Sequence, residues 1–234
     1  GQDHRPPNLQ HWIIAFVQLP LWTPFMNPFP TWNPPEKDVP RIPKRSELFA
    51  NVHVTNQFGD SFRFHEDLIK DKAVIINTMF TVCRGSCPGT SETLQRLRQP
   101  LSKLLSKRVT ILSITIDPLV DRTAELLSYA DNYGAGKPAD SKTCDWFFLN
   151  ASIENTESLR RSLGFYDLDN KVDQDISRHA SLLLFGNDVY DRWSTSPTQV
   201  RDGLIFEPLR RILGSTLEER FGISNQATSK QPRS

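Results

Sequence analysis

Lys72-Ala73-Val74-Ile75-Ile76-Asn77-Thr78-Met79-Phe80 is an almost unbroken apolar run, and it leads straight into Thr81-Val82-Cys83-Arg84-Gly85-Ser86-Cys87-Pro88. An apolar run without alternation reads as a strand buried on both faces. A helix is predicted to follow from about 88 to 106. Pro88 suits a first turn, and Leu94, Leu97, Leu101, Leu104 and Leu105 recur at spacings of three and four. Pro100 falls inside this pattern and is expected to kink or break it. Two thiols therefore stand at the end of a buried strand, where a helix opens.

Working outward, residues 51–55 and 61–64 read as two short strands around the Asn56-Gln57-Phe58-Gly59-Asp60 turn. Downstream, 109–116 is a second buried strand ending in Asp117-Pro118, and 121–133 is a helix for which Asp121 is the candidate N-cap. Residues 134–145 are a Gly-, Pro-, Ser- and Lys-rich loop, 145–149 a strand, and 156–163 a helix closed by Gly164. An acidic stretch without periodicity fills 166–178. A strand over 180–185, a turn over 186–188, a strand over 189–193 and an amphipathic helix over 198–213 complete the pattern. The order β-β-β-α-β-α-β-α-β-β-α predicts an α/β protein of thioredoxin type: a central mixed sheet flanked by helices, preceded by an N-terminal β-hairpin.

That domain is expected to span 45–214. Residues 1–44 hold more than half of the 17 prolines, interleaved with Trp12, Trp22, Trp32, Phe16, Phe25 and Phe29. They read as a Pro/aromatic-rich extended arm, either partly disordered or laid over its own domain or a docking partner. Residues 215–234 read as a polar tail that is expected to be mobile.

The 28 basic and 27 acidic residues leave a net charge of +1, which gives no case for nucleic acid or a strongly anionic partner. No stretch reaches the roughly 20 apolar residues of a membrane helix. The chain starts at Gly1, so a processed leader or a membrane anchor ahead of it stays open. Cys83, Cys87 and Cys144 are too few for a disulfide scaffold, and the first two are better read as chemistry. Cys144 is read as a small core residue, with a crosslink or third redox thiol as the alternative.

Residues four apart on a helix share a face, so Cys83 and Cys87 are expected to converge at the carboxyl edge of the sheet. A helix N-terminus favours thiolate over thiol. Paired thiolates are soft ligands that prefer Cu(I), although zinc also accepts them. A third ligand is expected from elsewhere. His179 is the best placed of the histidines, at the mouth of the 180–185 strand. His4 and His11 lie in the arm, and His53 and His65 in or beside the first hairpin.

The stretch from Asn77 to Pro88 resembles the Sco/SenC family of copper-binding assembly factors. So do Ser113-Ile114-Thr115-Ile116-Asp117-Pro118, Trp146-Phe147-Phe148-Leu149 and His179-Ala180-Ser181, in matching order over about 48–213. The resemblance implies a thioredoxin-like fold and copper bound by Cys83, Cys87 and His179. It implies an extracytoplasmic role (periplasm or mitochondrial intermembrane space) in maturing a client copper protein such as cytochrome c oxidase. Cu(I) is the preferred state, with Cu(II) also open. Asp117 matches a family acidic residue that supports the site or contacts the partner without ligating, and a helix-capping Asp is its alternative. The chain departs from the family at Arg178 and Ala180 around the histidine, at Arg84-Gly85-Ser86 between the cysteines, and in the arm and the 134–145 loop.

Three functions follow. A metallochaperone would hand copper on by ligand exchange and turn nothing over as an enzyme does. A thiol–disulfide oxidoreductase would attack with Cys83 and resolve with Cys87. A non-catalytic subunit of a larger complex would be held by the arm.

Overall fold

The computed structural model describes residues 41–105, 109–140, 142–175 and 181–223. Residues 1–40 of the arm expected over 1–44, the expected third ligand His179 with its neighbours over 176–180, and the end of the tail over 224–234 lie outside the described residues. The chain divides into one unit over 1–41 and another over 42–234, and the second carries the fold.

The decisive run forms β3 (Ala73–Met79), buried at every position. It pairs in parallel with β4 (Val109–Thr115), which pairs in parallel with β5 (Asp145–Leu149). On its other side β3 pairs antiparallel with β6 (Leu182–Asn187), and β6 with β7 (Arg192–Pro197). The resulting order is β5-β4-β3-β6-β7. Successive side chains of β3 enter opposite cores. Ile75 and Met79 join Leu94, Leu97 and Leu101 of α1 (Cys87–Leu105), Leu126 of α2 (Thr123–Asn132), and Ile205 and Leu209 of α5 (Asp202–Leu213). Val74 and Ile76 join Leu159 and Leu163 of α3 (Ile153–Leu163), together with Phe64, Leu68 and Ile69 from a wide helical turn. Two helical layers therefore cover the sheet, as the thioredoxin type requires.

The predicted hairpin forms as β1 (His53–Thr55) and β2 (Ser61–Arg63). It covers the outer edge of β5. Gln57 in its turn donates to the carbonyls of Ala135 and Trp146 and accepts from Phe148 N–H at 2.9 Å, so an edge that would otherwise offer bare polar groups is satisfied. Cys144 is fully buried, its N–H bonded to Ser102 Oγ at 2.8 Å, as suits a small core residue. Arg98 from α1 spans the 134–145 loop, donating to the carbonyls of Gly134 and Cys144.

Several boundaries differ from expectation. α1 runs unbroken through Pro100, whose ring sits on the exposed face, where the unpaired carbonyl one turn back can be hydrated. Gly186 and Asn187, expected in a turn over 186–188, are still strand, and the chain reverses over Asp188–Asp191 instead. Gly186 is there for packing: a Cβ would stand 2.2 Å from the Trp193 ring that crosses it. Asp191, at φ 47°, makes the reversal. α3 begins earlier, at Ile153, because the Ser152 side chain accepts from Asn155 N–H; its end at Gly164 is as predicted, with φ 85°. α5 starts at Asp202 rather than 198. Within the acidic stretch, α4 (Asn170–Asp173) forms around Asp173, which bonds Arg160 and Arg161. The tail opens with a capped helical turn, α6 (Leu217–Phe221), where Thr216 and Glu219 form a capping box.

Asp188 holds the N-terminal segment to the β6–β7 turn. Its buried carboxylate accepts from the Ser46 hydroxyl, from Asp71 N–H at 2.8 Å and from Lys44 Nζ at 3.3 Å. Burial acts to raise this carboxyl, but the hydrogen bonds and Lys44 outweigh it and hold the group below its ordinary 3.8. The folded state thus binds the Asp188 proton less readily than the unfolded chain does. Its stabilisation is complete above that ordinary value and is lost as pH falls through the lowered one. Asp188→Ala should lower the unfolding free energy by about 2–4 kcal/mol at pH 7. In urea melts the deficit from wild type should narrow below about pH 4.

Candidate functional site

At the carboxyl end of β3 the chain enters a tight turn. Cys83 N–H donates to Phe80 O at 3.2 Å, and Thr90 N–H to Ser86 O at 3.0 Å, so the helix begins at Cys87. Cys83 therefore lies in the turn ahead of α1. The two cysteines do not share a helical face as the spacing suggested, and the turn brings them together instead. Their thiols lie within hydrogen-bonding reach of each other, and no disulfide joins them. Cys83 is 9 % exposed and Cys87 1 %, so an approaching reactant meets Cys83 first. Gly85 N–H points at Cys83 Sγ from 3.4 Å.

Burial has the largest influence on Cys87, and with the added effect of the Cys83 thiol it pushes that group up to about 12. Backbone groups of Phe80 and of Cys87 itself pull the other way by less. The thiolate stabilisation expected of a helix N-terminus is thus outweighed by desolvation at this position.

Asp121 shapes the turn, and its role is not the predicted one. The helix it was expected to cap starts at Thr123 with Arg122 at the N-cap. The Asp121 side chain is fully buried instead. It accepts from Thr81 N–H at 3.0 Å, from the Thr81 hydroxyl, and from Thr115 Oγ1 at 2.5 Å. Thr115 Oγ1 in turn accepts from Asp117 N–H at 3.0 Å. One carboxylate thereby pins the chain two residues before Cys83 to the end of β4. Asp117 is half-buried, and its side chain makes no hydrogen bond among the described residues.

A second tie reaches the cysteine helix from Ser181, the residue before β6. Thr198 donates to the Ser181 carbonyl through its N–H at 3.0 Å and its hydroxyl at 3.2 Å, and its Oγ1 lies 2.9 Å from Thr90 Oγ1 in the first turn of α1. The antiparallel register of β3 and β6, with Ile76 opposite Leu184, brings the start of β6 to the end of β3 that leads to Cys83. Thr78 and Leu182 line one crevice of about 470 Å³ with Ile116, Phe165 and Tyr166, and the thiols are not part of its wall. His53 lies in β1 and His65 in the helical turn that follows β2. Among the described residues no three Cys, His, Asp or Glu side chains form a metal cage. The donor set that is present, two converging sulfurs, suits a soft ion short of one further ligand.

Residues 44–143 match the model of the SCO1/SenC family. A protein of Stutzerimonas stutzeri whose name proposes copper binding is 25% identical over 158 residues, covering 66% of this chain and 71% of that protein. The crystal structure of a SCO1/SenC family lipoprotein from Bacillus anthracis superposes with a TM-score of 0.54 at 19% identity, covering 70% of this chain and 94% of the other. Arabidopsis thaliana ScoI, solved with copper bound, gives 0.52 at 17% identity over 69% of this chain and 95% of its own. The resemblance to the SCO1/SenC family thus holds in sequence over 44–143, and these structures share the thioredoxin-like fold.

Asp121→Ala should release Thr81 and loosen the turn. Hydrogen exchange of peptides spanning 80–87 should quicken, with a loss of about 2–4 kcal/mol in stability. Exchange unchanged from wild type would show that the turn does not depend on this carboxylate.

Proposed function

We propose that this chain binds copper through Cys83, Cys87 and His179 and passes it to a client copper protein outside the cytoplasm. The observation that carries the reading is the pair of facing sulfurs in a turn held by Asp121. The tie from Ser181 through Thr198 to Thr90 supports His179 as the third ligand, because it anchors the strand that follows the histidine to the helix that begins with Cys87. A copper protein of the cytochrome c oxidase kind is the client that the resemblance suggests. Copper is cargo here: the chain supplies two soft donors, shields them from water and releases them to a competing thiol pair. Burial keeps Cys87 protonated near neutral pH, so uptake of an ion must displace that proton. Asp117, with no side-chain partner among the described residues, is suited to contact the client or to support the site from its rim.

An extracytoplasmic setting is part of the same proposal. No helix among the described residues is long and apolar enough to cross a membrane. The less deeply buried Cys83 in front of Cys87 also suits a thiol–disulfide oxidoreductase, in which Cys83 attacks and Cys87 resolves. A partner held by residues 1–44 concerns chain that lies largely outside the described residues.

Titration of the reduced protein with Cu(I) separates these readings. Copper transport predicts about one ion per chain, lost in Cys83→Ser and Cys87→Ser and weakened at least tenfold in His179→Ala. Copper binding indifferent to His179, with rapid reduction of a disulfide substrate, would support the oxidoreductase instead.

A further inference from the structure

The rim of the cysteine turn carries large apolar side chains that the fold does not use. Val82 is 63 % exposed, Leu119 65 % and Val120 45 %. The bonds from Asp121 to Thr81 hold these two segments side by side, and a tight turn closed by Val120 N–H and Asp121 N–H on the Asp117 carbonyl presents Leu119 and Val120 outward. Exposed apolar groups gathered at a reactive site mark a surface that is covered in use. Arg84 stands between the two cysteines. It is exposed and has no hydrogen bond or ion pair among the described residues. It is also the one charge inside the Cys83–Cys87 turn.

We infer that this rim docks a partner protein whose own thiols lie in an apolar segment flanked by carboxylates. The inference rests on the copper-transport reading and names the partner of that same site. For an ion to pass between two pairs of sulfurs, the two chains must touch at the turn, and contact there buries Arg84. A guanidinium is costly to bury unless an anion meets it, so a partner that seats on Val82, Leu119 and Val120 must bring an acidic group to Arg84. The chain's own Asp117 and Glu125 do not pair with it. In the transfer, the bonds from copper to Cys83, Cys87 and His179 break and bonds to the partner's two sulfurs form. Two protons pass from the partner's thiols to the freed cysteines, and the copper remains Cu(I) throughout.

Two synthetic peptides test this, each with two cysteines separated by three residues and flanked by leucines, one bearing glutamates and the other lysines. Cu(I)-loaded full chain should transfer its ion to the acidic peptide about tenfold faster at low ionic strength, with the preference shrinking as salt is added. Arg84→Glu should invert the preference. Val82→Ser with Leu119→Ser should slow both transfers several-fold while the melting temperature is kept, since both side chains are exposed. Equal rates to the two peptides from wild type, or an order left unchanged by Arg84→Glu, would overturn the docking surface while leaving copper binding intact. A wild-type protein that takes up no Cu(I) would overturn both readings.

Discussion

A strand buried along its whole length has no side open to solvent, so chemistry attached to it must sit where the chain leaves the core. β3 is such a strand, enclosed by β4 and β6 at its edges and by helices on both faces. Its carboxyl end is the one place where two thiols can be both anchored and reachable. The rigidity of β3 passes to the Cys83–Cys87 turn through Asp121, which fastens Thr81 to Thr115 at the end of the neighbouring strand. Burying a carboxylate without a cation is costly, and three donors aimed at it offset that cost only while the turn keeps its shape. The turn and the carboxylate therefore fix each other.

The opposite end of the sheet follows the same logic with a different outcome. Asp188 is also a buried carboxylate, but it receives a lysine along with a hydroxyl and a backbone N–H. It closes the β6–β7 turn against the incoming N-terminal segment through Lys44 and Ser46. One end of the sheet is thus sealed for stability. The other is held in shape, with Cys83 buried next to the exposed Val82, and with exposed Leu119 and Val120 on the turn that Asp121 ties to Thr81.

Much of this was legible in the residues. The apolar run of β3, the alternating order of strands and helices, Gly164 at a helix end and the early hairpin all speak through local pattern, which the chain states directly. What local pattern cannot state is which partner a polar side chain finds across the fold. Asp121 near a helix start looks the same whether it caps that helix or turns inward to two threonines on other elements. Gly186 looks like a turn until Trp193 is seen lying across it. The spacing of Cys83 and Cys87 suggested a shared helical face, whereas the helix begins only at the second of them. Pro100 breaks a helix in general but is tolerated where its carbonyl partner faces water. The Thr216–Glu219 capping box was written in the tail and was missed because the polar composition there hid it.

The central claim is that two sulfurs from the turn and the imidazole of His179 hold a single ion. X-ray absorption spectroscopy of the Cu(I)-loaded chain addresses it most directly. The account predicts a shell of two sulfur atoms and one nitrogen, with the nitrogen and its imidazole scattering lost in His179→Ala. A shell of sulfur alone in the wild-type protein, or a spectrum that His179→Ala leaves unchanged, would contradict it.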